Sequence, residues 1–139
     1  MSYSTRVKLM ISRRHLIATA AVLAFVASSP AFAAETKKFT AAEFEAAQKA
    51  GKSILVEVHA SWCPTCKAQA PILSELMKDA KFNNLVVFMI DFDSQKDAVQ
   101  KVGARIQSTL VAYKGTKETA RSAGDTRRDS IAALVNSAI

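Results

Sequence analysis

Cysteine is scarce in this chain: two in 139 residues, both inside the stretch Trp62-Cys63-Pro64-Thr65-Cys66-Lys67. A bridge across two intervening residues closes a tiny loop and constrains the unfolded chain little, so the pair points to chemistry rather than stapling. Long apolar runs are missing as well. Leu16 to Ala27 offers about a dozen apolar residues, short of the roughly 20 that a membrane-spanning helix needs. There is no internal repeat, linker or low-complexity segment, and 139 residues argue for one domain.

The positive charge is also less than it looks. The formal net charge is +7, but Arg6, Lys8, Arg13 and Arg14 precede the apolar run Leu16 to Ala27. Ser28-Ser29-Pro30 breaks that run, and Ala31-Phe32-Ala33 supplies a small-x-small cleavage site. Residues 1–33 are therefore expected to be a cleavable signal peptide cut near Ala33, with the mature protein in the periplasm; an uncleaved membrane anchor is the competing reading. Ser12-Arg13-Arg14-His15-Leu16-Ile17 resembles a twin-arginine export motif, with leucine where an aromatic is usual. An ordinary secretory n-region containing two adjacent arginines reads equally well. Removing residues 1–33 takes away four of the 19 Lys+Arg and none of the 12 Asp+Glu, which leaves 15 against 12, or +3. No nucleic-acid footprint survives that correction.

The remaining 34–139 read as a single α/β domain. After a polar arm at 34–38, Thr40-Ala41-Ala42-Glu43 forms a capping box opening a short helix that Gly51 ends. Ser53 to His59 is a nearly continuous apolar strand, as expected for one buried on both faces. Cys63 opens a helix running to Lys81, with Pro64 in its first turn and Pro71 inside it. Leu85 to Ile90 is a second buried strand, and Gln95 to Val102 a short helix. Thr109 to Tyr113 and Glu118 to Ser122 form a hairpin over Lys114-Gly115-Thr116-Lys117. Thr126-Arg127-Arg128-Asp129 is expected to cap a last helix with Ile131, Leu134, Val135 and Ala138 on its apolar face. The order is a βαβ unit followed by ββα, with an N-terminal helix: a central mixed four-stranded sheet flanked by helices.

A C-x-x-C pair between a strand and a helix is the pattern of a dithiol–disulfide redox site. Together with its neighbours it resembles the thioredoxin family over essentially all of residues 36–139. Ile54-Leu55-Val56-Glu57 looks like the strand before the active site, and Ala60-Ser61-Trp62-Cys63-Pro64-Thr65-Cys66-Lys67 like the active-site loop. Ala70-Pro71-Ile72-Leu73 matches the kinked helix, and Ser108-Thr109-Leu110-Val111-Ala112-Tyr113-Lys114-Gly115 the third strand and hairpin. The resemblance implies a thioredoxin fold and a substrate-binding surface of Trp62, Pro64, Thr65, Ser108 and Thr109. It also implies protein thiols and disulfides as substrates and an upstream redox partner, membrane-bound in one version.

Three departures stand out. The family's usual buried Asp is Glu57, and the facing strand Phe88-Met89-Ile90-Asp91-Phe92-Asp93 lacks the lysine that many thioredoxins place near that acid. The family's cis-proline, which helps to keep metal from the cysteines, aligns with Ser108. A non-proline cis bond costs about 2.5–4 kcal/mol, so the Gln107-Ser108 peptide is expected to be either strained or trans.

The chemistry follows from position. Cys63 at a helix N-terminus meets unpaired N–H groups that stabilise a thiolate, which makes it the expected nucleophile. Cys66, one turn on and expected to be more buried, is the resolving thiol. Burial should raise the Glu57 pKa and make it a proton relay for Cys66. Trp62 is expected to pack as a lid beside the site, and His59 as a strand residue rather than a ligand. No cofactor is required beyond the Cys63–Cys66 disulfide. The Pro-Thr pair resembles the periplasmic thioredoxins of cytochrome c maturation, which favours a reductase or interchange role over an oxidant. The alternatives are a metal or iron–sulfur module in which Cys63 and Cys66 supply half of a four-ligand site across a dimer, and a non-enzymatic chaperone on the same fold.

Overall fold

The computed structural model describes residues 34–139; the expected signal peptide and twin-arginine motif lie outside them. Its elements in chain order are β1 (Glu35–Lys38), α1 (Ala41–Lys49), β2 (Ser53–His59), α2 (Pro64–Leu76), β3 (Leu85–Asp91), α3 (Lys96–Lys101), β4 (Thr109–Lys114), β5 (Lys117–Ala123) and α4 (Arg128–Asn136). The strands form one sheet in the order β1-β3-β2-β4-β5. β1 and β2 run parallel to β3, while β4 runs antiparallel to β2 and to β5.

The sheet has five strands rather than the expected four, because the polar arm is β1. Glu35-Thr36-Lys37-Lys38 has no apolar alternation to announce a strand; its pairing with Val86 to Met89 comes from the backbone ladder. As an edge strand it needs no apolar face, and its charges discourage further pairing. β5 closes the other edge with Lys117, Glu118 and Arg121.

β2 lies at the centre, and Ile54, Leu55, Val56 and Val58 are fully buried, as a strand covered on both faces requires. Its even-numbered residues pack with Phe39, Phe44, Phe88, Ile90, Val99 and Tyr113 beneath α1 and α3. Leu55 points the other way, to Leu73, Leu76, Leu110, Ile131, Leu134 and Val135 of α2, β4 and α4. The period of two along one strand thus builds two cores.

Helix ends follow local chemistry. The Thr40 hydroxyl accepts from the Glu43 N–H at 3.3 Å, the first half of the expected capping box, while the Glu43 carboxylate turns back to the Thr40 hydroxyl, at 2.8 Å, rather than to its backbone N–H. α2 is shorter than expected: it stops at Leu76, and Asp79 starts a separate 3₁₀ turn, Ala80–Phe82, by accepting from the Lys81 N–H. The anchor of that turn is Phe82, which is fully buried. Thr126 does not cap α4. The N-cap is Arg127, with no side-chain capping bond, and the Asp125 carboxylate braces the turn before the helix by accepting from the Arg127 N–H at 3.0 Å and from the Ser130 hydroxyl.

Phe88 sits edge-on to Phe39 and Phe44, with ring centroids 5.9 and 5.8 Å away. Phe88→Ala leaves a cavity in that cluster and should destabilise the domain by about 3–5 kcal/mol, read as a lower urea midpoint at unchanged slope.

Candidate active site

β2 delivers the chain to the site. After His59 it turns at Ala60, whose carbonyl accepts from the Cys63 N–H at 3.1 Å, and α2 begins at once with Pro64. Cys63 is the N-cap, in extended conformation (φ −79°, ψ 114°), and its Sγ accepts from the Cys66 N–H at 3.1 Å. A sulfur thus takes the place usually given to a serine or threonine oxygen at this position. The positive end of the helix macrodipole falls on it.

Both cysteines are free thiols and both are buried, Cys63 at 1 % and Cys66 at 6 % exposure. Surface exposure therefore does not separate the two. Cys63 packs with Ala60, Cys66 and Phe92, contacts that no local pattern reveals. The two thiols are told apart by their hydrogen bonds. Burial pushes the Cys63 pKa up, but donation from the Cys66 side chain and N–H, the Ser108 hydroxyl and the Thr65 N–H brings it below its ordinary value. Burial raises Cys66, and its hydrogen bond to Cys63 raises it further.

Across from the pair lies the segment entering β4. The Gln107-Ser108 peptide is trans, so the trans alternative holds. The strain has moved to Ser108, whose φ of +55° is left-handed, a region costing a non-glycine residue about 1–2 kcal/mol. Ser108 and Thr109 are both 3 % exposed, and the Thr109 hydroxyl donates to the Ile106 carbonyl at 2.8 Å. The Ser108 hydroxyl donates to the Gln107 carbonyl at 2.6 Å. Trp62 is 55 % exposed and pinned by its indole N–H, which donates to Asp93 at 2.7 Å. Pro64 is exposed and Thr65 half-buried, so Trp62 and Pro64 offer contact surface while Thr109 braces the loop.

Glu57 lies mid-strand, in register with Met89 on β3 and Leu110 on β4. It is half-buried in a recess of about 300 Å³ lined also by Thr36, Ala70, Ser74 and Met77. Burial raises its pKa, and His59 opposes the rise only in part. His59 is half-buried at the strand end, as expected. Among the described residues no group of three or more His, Cys, Asp or Glu is placed to hold a metal, and no helix is long and apolar enough to cross a membrane.

Sequence reasoning missed Asp93, which anchors Trp62, and Gln69, which is fully buried on the inner face of α2. Gln69 had a signal: it is the one polar residue at helical spacing among Cys66, Leu73 and Leu76, the buried positions of that helix.

The raised Glu57 pKa gives a pH prediction. A carboxyl whose folded pKa lies above its ordinary 4.5 favours the fold fully below that value and loses that contribution as pH rises through the folded pKa. Glu57→Gln, always neutral, should therefore melt higher than the wild type at pH 7, and the gap should close as pH falls below about 4.5.

Known proteins are similar to this chain in sequence and fold. The family model described as Thioredoxin matches residues 35–137. Thioredoxin-2 of Saccharomyces cerevisiae is 31 % identical over 90 residues, covering 64 % of this chain and 85 % of the yeast protein. The thioredoxin of Pseudomonas aeruginosa is 33 % identical over 91 residues, 66 % of this chain and 83 % of that one. The crystal structure of Trxlp from Edwardsiella tarda superposes with a TM-score of 0.70 at 36 % identity, covering 73 % of this chain and 98 % of that one. By fold, cysteine pair and relatives alike, the chain belongs to the thioredoxin family, whose members are thiol–disulfide oxidoreductases acting on protein disulfides.

Proposed function

We propose that this protein is an exported, periplasmic thiol–disulfide reductase or interchange enzyme with Cys63 as nucleophile and Cys66 as resolving thiol. The observation that carries this assignment of roles is the place of Cys63 at the N-terminus of α2, its sulfur accepting from the Cys66 N–H at 3.1 Å. The Cys63 thiolate attacks one sulfur of a substrate disulfide; that bond breaks, a substrate thiolate leaves, and a mixed disulfide forms. Cys66 then loses its proton and attacks Cys63 Sγ, releasing the second substrate thiolate. The substrate gains two electrons, and Cys63–Cys66 becomes a disulfide. No further cofactor is needed.

Glu57 is assigned as acceptor of the Cys66 proton. Its recess also contains Ala70 and Leu73, on α2 just beyond Cys66. Trp62, Pro64 and Thr65 flank the attacking sulfur, and Ser108 presents the backbone strip opposite. Residues 1–33 carry the export signal, and an upstream dithiol donor, membrane-bound in the simplest arrangement, restores the reduced pair.

Insulin disulfide reduction tests the roles. Cys63→Ser should abolish turnover, whereas Cys66→Ser should still attack and accumulate a mixed disulfide visible by mass spectrometry. A wild type that neither reduces insulin nor forms a mixed disulfide rules the proposal out. The reduction potential should lie nearer the roughly −270 mV of thioredoxin than the roughly −120 mV of the oxidant DsbA. Expression of the full chain in a Gram-negative host should yield a periplasmic product beginning at Ala34; a cytoplasmic product retaining Met1 would overturn the export assignment.

A further inference from the structure

Gln69 is fully buried, yet it carries a primary amide. Leaving such a group without partners costs about 1–3 kcal/mol, so its hydrogen bonds show what it is kept for. Both go from Nε2. One reaches the Ser108 carbonyl at 3.2 Å and the other the Asp125 carbonyl at 2.8 Å. Since both partners are acceptors, they fix which end of the amide faces them. Oε1, at the other end, is buried without a partner. The polar capacity of this side chain is spent on tying α2 to the segment before β4 and the loop before α4.

What it holds is the strained residue. Ser108 is the one non-glycine residue with positive φ among those described, and its carbonyl also accepts from the Gly124 N–H at 2.9 Å. A conformation of that kind persists only where its surroundings over-determine it. A turn of Ser108 to ordinary φ would reorient the peptide units on either side of it, pulling its carbonyl from both donors and shifting the backbone that faces the cysteines. Ser108 lies close enough to both thiols to bear on their pKa values: its side chain is one of the groups that lower Cys63, once turned from the Gln107 carbonyl, and its N–H one of those that lower Cys66.

We propose that Gln69 is a positioning residue for disulfide exchange: its amide clamps the Ser108 carbonyl, keeps that residue left-handed, and thereby holds in place the backbone that faces the reacting sulfurs. The clamp does here what a proline ring does elsewhere in the family, by hydrogen bonding rather than ring constraint. The inference rests on Cys63 being the attacking thiol.

The test is alkylation of the reduced protein by iodoacetamide across pH, with the modified cysteine identified by mass spectrometry. In Gln69→Leu the Cys63 profile should move to higher pH by about half to one unit, so that the rate at pH 7 falls about three- to tenfold. The ionisable neighbours Glu57, His59, Lys67, Asp93 and Arg105 are untouched by the substitution. A structural role alone would lower the melting temperature and leave that profile in place, and this result overturns the proposal. Glycine adopts positive φ freely, so Gln69→Leu should cost less stability in a Ser108→Gly background than in the wild type; equal losses also overturn it. Should Gln69→Leu not fold, Gln69→Met takes its place, and the wild type gives a direct reading by NMR. The Gln69 side-chain amide protons should exchange slowly and Ser108 should show a strong intraresidue HN–Hα NOE; fast exchange would refute the clamp. Preferential alkylation of Cys66 in the wild type would instead sink the functional assignment of Cys63, an outcome recognisable apart from any effect of Gln69.

Discussion

The hydrogen bond from the Cys66 N–H to the Cys63 sulfur is the interaction around which this molecule is arranged. It is at once a helix cap and the distinction between two otherwise similar thiols. As a cap, it satisfies one of the donors that every helix start leaves unpaired. As chemistry, it turns the partial positive charge of an N–H toward the Cys63 sulfur. β2 brings the chain to this point at the centre of the sheet, and Pro64 lets the helix begin without wasting a donor. The fold is thus a device for ending a buried strand and starting a helix at one sulfur atom.

The departures from family pattern form a connected set around that sulfur. Where a proline would fix the facing backbone, Ser108 is left-handed and tied by its carbonyl to Gln69 and Gly124. Where a lysine would neighbour the buried acid, Met89 sits in register with Glu57, and the carboxyl faces a recess instead of a cation. Both changes replace a rigid or charged constraint with hydrogen bonding and burial. They leave the cysteine pair in the same place and alter what tunes it.

The parts of the fold that could be read from sequence are those written in local patterns. β2 announces itself by an unbroken apolar run, α1 by its capping box, and the cysteine pair by its spacing. β1 has no pattern, because an edge strand of Glu, Thr and Lys is held by backbone bonds alone. The start of α4 carries no side-chain cap at all, although Thr126 offers an oxygen in sequence, because the loop makes Arg127 the N-cap and uses Asp125 to brace the turn before it. The burial of Cys63 and the role of Gln69 depend on partners far away in the chain: Phe92 for the first, Ser108 and Asp125 for the second. Such contacts leave at most a local anomaly, like a glutamine on an apolar helix face.

The antiparallel pairing of β2 with β4 sets Val58 against Thr109, and so brings Ser108 to the cysteines from over forty residues away. Pairings of that separation form late, because the chain must close a long loop before any contact rewards it. Until then Cys63 has neither a folded helix behind it nor a serine in front, and its thiol is ordinary. Reactivity is therefore acquired only with the finished fold. An unfolded chain carries two quiet thiols, little inclined to capture disulfides along the way, and the switch that arms them is the closure of the sheet itself.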